Sequence, residues 1–229
     1  MLLNRPKNIN VAEIAAEVYI NANYTIFGKL TFENVNGTCI ANCSGTVRVK
    51  NKEIVKLTDG FVWGKVDGRF SCDDCDNLTS LEGAQKEVGI GFHCEYCENL
   101  KSLVGGPNIV KKSYSCTGCK NLKSLEGAPK EVSGSFNCSW CDNIKTLEGA
   151  PEYVGRTFSC YSCKNLISLK GAPKEIGGDF KCTGCDRLES LKGAPEKFGG
   201  FFDCRQCKSL KSLEGVPKTG KLYCDNRLK

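Results

Sequence analysis

The sequence has no run of about 18 apolar residues, so nothing in it reads as a membrane-spanning helix. It contains one histidine, His93, and therefore no second imidazole for a paired acid–base site. It has no complete phosphate-binding glycine loop of the Gly-x-x-x-x-Gly-Lys-Ser/Thr type. No pair of carboxylates stands apart from the repeat described below. These absences argue against catalysis, and no enzyme or cofactor is expected. The opening residues, MLLNRPKNINVAEIAAEVY, lack the apolar core of a secretory signal and soon carry Arg5, Lys7, Glu13 and Glu17. The expected compartment is a cytosol, where thiols stay reduced. A concentrated charge is also missing. The formal net charge is +6, but residues 1–69 carry nine basic and six acidic side chains, and residues 70–229 carry 23 and 20. The surplus is evenly spread, whereas a nucleic-acid footprint gathers it on one face. Nucleic acid is not an expected partner.

What the chain does have is 17 cysteines and 25 glycines. The odd cysteine count suits free thiols better than a closed disulfide framework. Fourteen of the cysteines form Cys-x-x-Cys pairs spaced 22 residues apart: Cys72/Cys75, Cys94/Cys97, Cys116/Cys119, Cys138/Cys141, Cys160/Cys163, Cys182/Cys185 and Cys204/Cys207. Cys224 opens an eighth copy two residues early. Such strict self-similarity marks a stacked-repeat architecture.

Each column of the repeat has a physical reading. Phe70, Phe92, Tyr114, Phe136, Phe158, Phe180 and Phe202 sit two residues before the first cysteines, so both columns share one face of a short strand. Apolar columns follow from Leu78 to Leu210, from Leu81 to Leu213 and from Val88 to Phe198. One 22-residue unit cannot bury so many apolar groups, but stacked coils can. Glycine recurs from Gly83 to Gly215, which suits a positive φ, and proline follows two residues later except at Gln85. Glycine and proline break each unit, so helix is not expected there. The chain reads as mainly β: a right-handed parallel solenoid of 22-residue, leucine-rich-repeat-like coils. Eight coils at ~4.8 Å each give a stack of roughly 40 Å.

Residues 1–65 lack the cysteine pairs and read as a divergent N-terminal cap to the solenoid of residues 66–229. Within the cap, VAEIAAEVY (11–19) has helical spacing, and YTIFGKLTF and TVRVKNKEIVKL read as strands. A degenerate coil is traceable, with Val49, Gly60 and Val66 preceding Cys72, Gly83 and Val88 by about one repeat. Cys39 and Cys43 fall in a loop-like context as small buried hydrophobes. The C-terminus shows no evident cap beyond the charged tail DNRLK.

The unit C-x-x-L-x-S-L-x-x-x-P-x-x-V-G-x-x-F resembles cysteine-containing leucine-rich repeats. It is most similar to short bacterial surface-antigen (Treponema-type) repeats and to repeat proteins of gut-bacterial phages. The likeness covers residues 66–229 and departs where Cys72 and its equivalents replace leucine. It implies a solenoid binding scaffold with no particular ligand. It also suggests a bacterial cytoplasm, or assembly there into a virion.

Three roles are open for the cysteines. In the first, they pack as small hydrophobes, with the second of each pair meeting turn backbone. In the second, all fourteen paired thiols form ladders that hold zinc or an iron–sulfur cluster, since adjacent coils bring four sulfurs together. The third is inter-coil disulfides, which parallel side chains disfavour.

Specificity belongs to the variable positions around each pair. These run from Ser71, Asp73 and Asp74 in the first coil to Asp203, Arg205 and Gln206 in the seventh. Tyr96, Trp140 and Tyr161 stand near the middle as candidate anchors, with His93 and Arg205 on the same face. A protein partner is the leading expectation, and a glycan stacking on the aromatics is the alternative. Lys123 and Lys145 precede Glu126 and Glu148 by three residues, which reads as a self-neutralising surface. Asn77 to Asn165 read as side chains that satisfy turn backbone.

Overall fold

The computed structural model describes residues 10–84, 86–217 and 220–228. Residues 1–9, Gln85, Lys218, Thr219 and Lys229 lie outside the described residues, and with them the leader reading, the proline-column exception and the last residue of the charged tail.

The chain opens with helix α1 (Val11–Asn23), started by Asn10, whose side chain accepts the Ala12 N–H at 3.1 Å. Strands β1 (Tyr24–Phe27), β2 (Leu30–Val35), β3 (Thr38–Cys43) and β4 (Thr46–Val49) follow. The solenoid then alternates two short strands per coil: β5 (Val62–Val66), β6 (Arg69–Ser71), β7 (Glu87–Val88), β8 (Gly91–His93), β9 (Ile109–Val110), β10 (Ser113–Ser115) and β11 (Glu131–Val132). It continues through β12 (Phe136–Asn137), β13 (Tyr153–Val154), β14 (Phe158–Ser159), β15 (Glu175–Ile176), β16 (Phe180–Lys181), β17 (Lys197–Phe198), β18 (Phe201–Asp203) and β19 (Lys221–Tyr223).

Two sheets result. A 10-stranded sheet runs β1-β4-β6-β8-β10-β12-β14-β16-β18-β19, and a 9-stranded sheet runs β17-β15-β13-β11-β9-β7-β5-β3-β2. Coil pairs with coil in parallel, Phe136 opposite Phe158 and Val132 opposite Val154. The protein is a mainly β, parallel β-solenoid, as the repeat predicts. The core is the stack of equivalent residues. The rings from Phe70 to Phe202 are fully buried, with Phe136–Phe158 and Phe158–Phe180 centroids 5.5 Å apart. Gly127 shows why the glycine column exists. Its φ is +93°, and a Cβ there would come within 2.3 Å of the Val104 nitrogen.

The degenerate coil is present: Val47 pairs with Phe70 and Val66 with Val88, and both sheets continue into the N-terminal third. There the order turns antiparallel, β1 on β4 and β2 on β3. Helix α1 lays Ala16 and Ile20 onto this end, where Tyr24, Phe61, Trp63 and Phe70 pack edge-on at 5.3–6.1 Å.

Three expectations need correction here. Of TVRVKNKEIVKL, only Thr46–Val49 is strand. Beyond it Ile54 and Leu57 are buried one at a time in irregular chain, filling the places that Leu78 and Leu81 fill one coil later. Cys39 and Cys43 are buried, but in strand β3 rather than a loop. The C-terminal end does carry a closure. A 3₁₀ turn (Asn226–Leu228) brings Arg227 to donate to the carbonyls of Leu210 and Cys207, each at 2.5 Å.

Candidate binding face

The Cys-x-x-Cys turn follows each strand of the 10-stranded sheet, and the inter-coil ladder continues through it. Cys138 N donates to Ser159 O at 2.8 Å and Trp140 N to Tyr161 O at 2.9 Å. This register forces the residue before the second cysteine into left-handed backbone in every coil: Asp74, Tyr96, Gly118, Trp140, Ser162, Gly184 and Gln206, with φ between 53° and 74°. Glycine meets that demand freely, whereas larger residues pay about 1–2 kcal/mol.

The second cysteine of each pair does meet turn backbone. Cys97 Sγ donates to Cys72 O at 3.0 Å, Cys119 to Cys94 O at 3.0 Å, Cys141 to Cys116 O at 3.2 Å and Cys163 to Cys138 O at 3.1 Å. The first cysteines lie farther from carbonyls, at 3.4–3.7 Å where a contact forms. Among the described residues no group of three or more His, Cys, Asp or Glu side chains is arranged to hold a metal ion. The sulfur contacts favour packing over the metal ladder. Burial pushes the Cys94 and Cys182 thiols well above the ordinary range, and neighbouring thiols add to this.

The face differs from expectation in its detail. Ser71, Ser115, Thr117, Ser139 and Asp203 are buried rather than outward. They bond within their coil and between coils: Ser115 Oγ lies 3.0 Å from Thr117 Oγ1, Ser139 Oγ donates to Asn137 Oδ1 at 2.6 Å, and Ser139 Oγ lies 2.9 Å from Ser159 Oγ of the next coil. His93 is not freely exposed. Its side chain is 20% accessible, with Nδ1 3.5 Å from Glu95 Oε1. The asparagines of the column from Asn77 to Asn165 mostly bond side chain to side chain, as Asn143 Nδ2 does to Asn121 Oδ1 at 3.2 Å, and within that column Asn99 alone reaches turn backbone, at Asp76 O. The charged columns pair between coils rather than within them, Lys170 with Glu148 at 2.8 Å and Lys192 with Glu214 at 3.1 Å.

Trp140, Tyr161 and Arg205 come together in one groove of 460 Å³, lined also by Asn137, Ser139, Ser159, Lys181, Thr183, Phe201 and Asp203. The Trp140 and Tyr161 rings meet edge to face at 5.6 Å. Arg205 grips Asp203 through Nε at 2.9 Å and Nη2 at 2.5 Å and lies over Tyr223, and Lys181 lies over Phe201 at 5.1 Å. Tyr96 lies apart, its ring over Gly118, and His93 is also outside the groove. Sequence reasoning counted Lys181 among the variable outward positions but missed Phe201. Phe201 could have been found, because its column otherwise holds Arg69, Gly91, Ser113, Ser135, Thr157 and Asp179, none of them aromatic.

Comparison with known proteins matches the chain to no family model, no curated protein and no solved structure. No helix among the described residues is long and apolar enough to cross a membrane.

Proposed function

We propose that the protein is a non-enzymatic scaffold that binds another protein through its Cys-x-x-Cys turn face, anchored by Trp140 and Tyr161. One observation carries this reading. Trp140 is 44% exposed on left-handed backbone, at a position that Gly118 and Gly184 fill in other coils. The frame gains nothing from an indole there. Half-exposed aromatics beside a groove are the usual anchors of an interface. The resemblance to surface-antigen and phage-borne repeats supports a recognition role, in a phage virion or at a bacterial host surface, by analogy of fold. Buried thiols that act as donors suit folding in a reducing cytosol.

A glycan is the second reading. The hydroxyls of Ser159 and Thr183 and the Asp203–Arg205 pair line the same groove as the aromatic pair. The test places a photo-crosslinking residue at Ser162 and compares wild type with Trp140→Gly in lysate of the source cell, beside a glycan array. A crosslinked protein lost in the variant supports the first reading. Crosslinks that survive Trp140→Gly sink it, and array signals lost in the variant move the assignment to glycan.

A further inference from the structure

Equivalent positions in a repeat share one environment, so each coil is a control for its neighbours. The corner that follows each strand of the 9-stranded sheet is built for glycine. It holds Gly177–Gly178 and Gly199–Gly200 in the late coils. A Cβ on Gly177 would come within 2.2 Å of Gly155 O, and one on Gly199 within 2.3 Å of Gly177 O. Yet the middle coils place Lys111, Lys112 and Arg156 at this corner, all exposed. Lys111 pairs with Glu87 at 3.0 Å. Lys112, Arg156 and nearby Lys130 have no carboxylate within 4.0 Å among the described residues.

The same coils break the charge pattern beside this corner. Val104 stands where other coils have Glu82, Glu126, Glu148, Lys170, Lys192 and Glu214, and it is 52% exposed. Ile109, also 52% exposed, occupies a column that holds Glu87, Glu131, Tyr153, Glu175 and Lys197. Two cavities open here. One, of 570 Å³, is floored by Ala128 and Pro129 and edged by Ile109, Lys130 and Glu131. The other, of 280 Å³, is lined by Lys112, Ser113, Gly134 and Arg156. They share Lys111 and Ser133, so they form one groove. Glu131 is its one acidic lining residue, against Lys111, Lys112, Lys130 and Arg156. The groove lies at the opposite end of the short strands from the Trp140 turn.

We propose that this groove is a second docking site, which takes an extended acidic segment of a partner protein. Carboxylates of the segment sit over Lys112 and Arg156, and an apolar side chain lies against Ile109 and the Ala128–Pro129 floor. Charge complementarity sets the sign of the ligand, and the adjoining apolar floor calls for a mixed sequence rather than a plain polyanion. The solenoid does not need these residues, because its own late coils replace the cations by glycine. The inference stands apart from the turn-face reading and does not depend on it.

The experiment is a selection of displayed random heptapeptides on the full chain. The best peptide is then measured by fluorescence polarisation against wild type, Lys112→Gly/Arg156→Gly, Ile109→Glu and Trp140→Gly. The first two variants restore residues the repeat uses elsewhere, so circular dichroism is expected to be unchanged. The expected result is a consensus of Asp and Glu flanking one large apolar residue. Its affinity falls about tenfold or more in the two groove variants, weakens with salt and is unchanged in Trp140→Gly. No enrichment, a neutral or basic consensus, or equal affinity for Lys112→Gly/Arg156→Gly overturns the proposal. So does loss of binding in Trp140→Gly, which places the peptide on the turn face. Tighter competition by an RNA oligonucleotide or by phosphatidylserine vesicles than by the peptide itself also overturns it.

Discussion

The two cysteines of one coil do different work although both are buried. Cys163 donates its thiol proton to Cys138 O at 3.1 Å, whereas Cys160 makes no hydrogen bond to a carbonyl. Serine keeps a donor and alanine removes it. Cys163→Ser is therefore expected to retain more stability than Cys163→Ala, which strands a buried carbonyl at about 1–3 kcal/mol. At Cys160 the order is expected to reverse, because the site offers a serine hydroxyl no carbonyl, only the neighbouring Cys185 thiol. Urea unfolding of the four variants checks this, and the same order at both sites would refute the assignment. Ionisation tests the ladder from another side. Burial raises the Cys94, Cys182 and Cys204 thiols above the unfolded value of about 8.5, and carries Cys204 to about 12. Their contribution is thus whole below pH ~8.5 and is lost as pH climbs toward 12, at about 1.4 kcal/mol per unit for each thiol. Thermal midpoints should be level from pH 6 to 8 and fall steeply above pH ~9. Tyr114 adds a third case. Its hydroxyl is buried without a partner, 3.6 Å from where a Cβ on Gly106 would sit. The other coils pair Phe with Ala or Val at these two positions. Tyr114→Phe removes the unpaired hydroxyl and should stabilise the chain by about 1 kcal/mol in urea melts.

At the scale of an element, the Cys-x-x-Cys turn is where fold and recognition conflict. The ladder bond from Trp140 N to Tyr161 O fixes φ at 56° whatever the side chain. Trp140→Gly and Trp140→Ala both remove the indole, but only glycine removes the strain. The glycine variant should be the more stable by about 1 kcal/mol in denaturant melts, with both equally deficient in binding. The solenoid was legible in the sequence because a 22-residue period carries many equivalent positions at once. The turn face was legible only in part. Alternation of side chains predicts outward residues along a strand, but strands such as Phe136–Asn137 end at once in the turn. The curl of the turn then tucks Ser139 inward and throws Trp140 outward. The cap resisted reading for a related reason. Ile54 and Val55 have real β propensity, yet no straight run is available to them. Asn51 instead turns the chain, accepting from Glu53 N at 3.2 Å and donating to Asn23 Oδ1 at 2.8 Å.

At the scale of the molecule, the solenoid is close to one-dimensional, since each coil touches chiefly the coil above and the coil below. Its stability therefore depends on the ends. The N-terminal end is closed by α1 and an aromatic cluster. The C-terminal end has less to close it: Leu213, Val216, Leu222 and Leu228 are only partly buried, and Arg227 spans the gap to Cys207 O and Leu210 O. Arg227→Ala leaves those two carbonyls without their charged donor and frees the 3₁₀ turn. In a nearest-neighbour stack such damage stays local. Hydrogen exchange should speed up for Lys221–Tyr223 and the Cys204–Cys207 turn, while amides from Phe92 to Phe158 keep their protection. If protection fell evenly along the whole stack, the coils would be unfolding as one cooperative block. The open C-terminal coil would then be as firmly held as the middle ones.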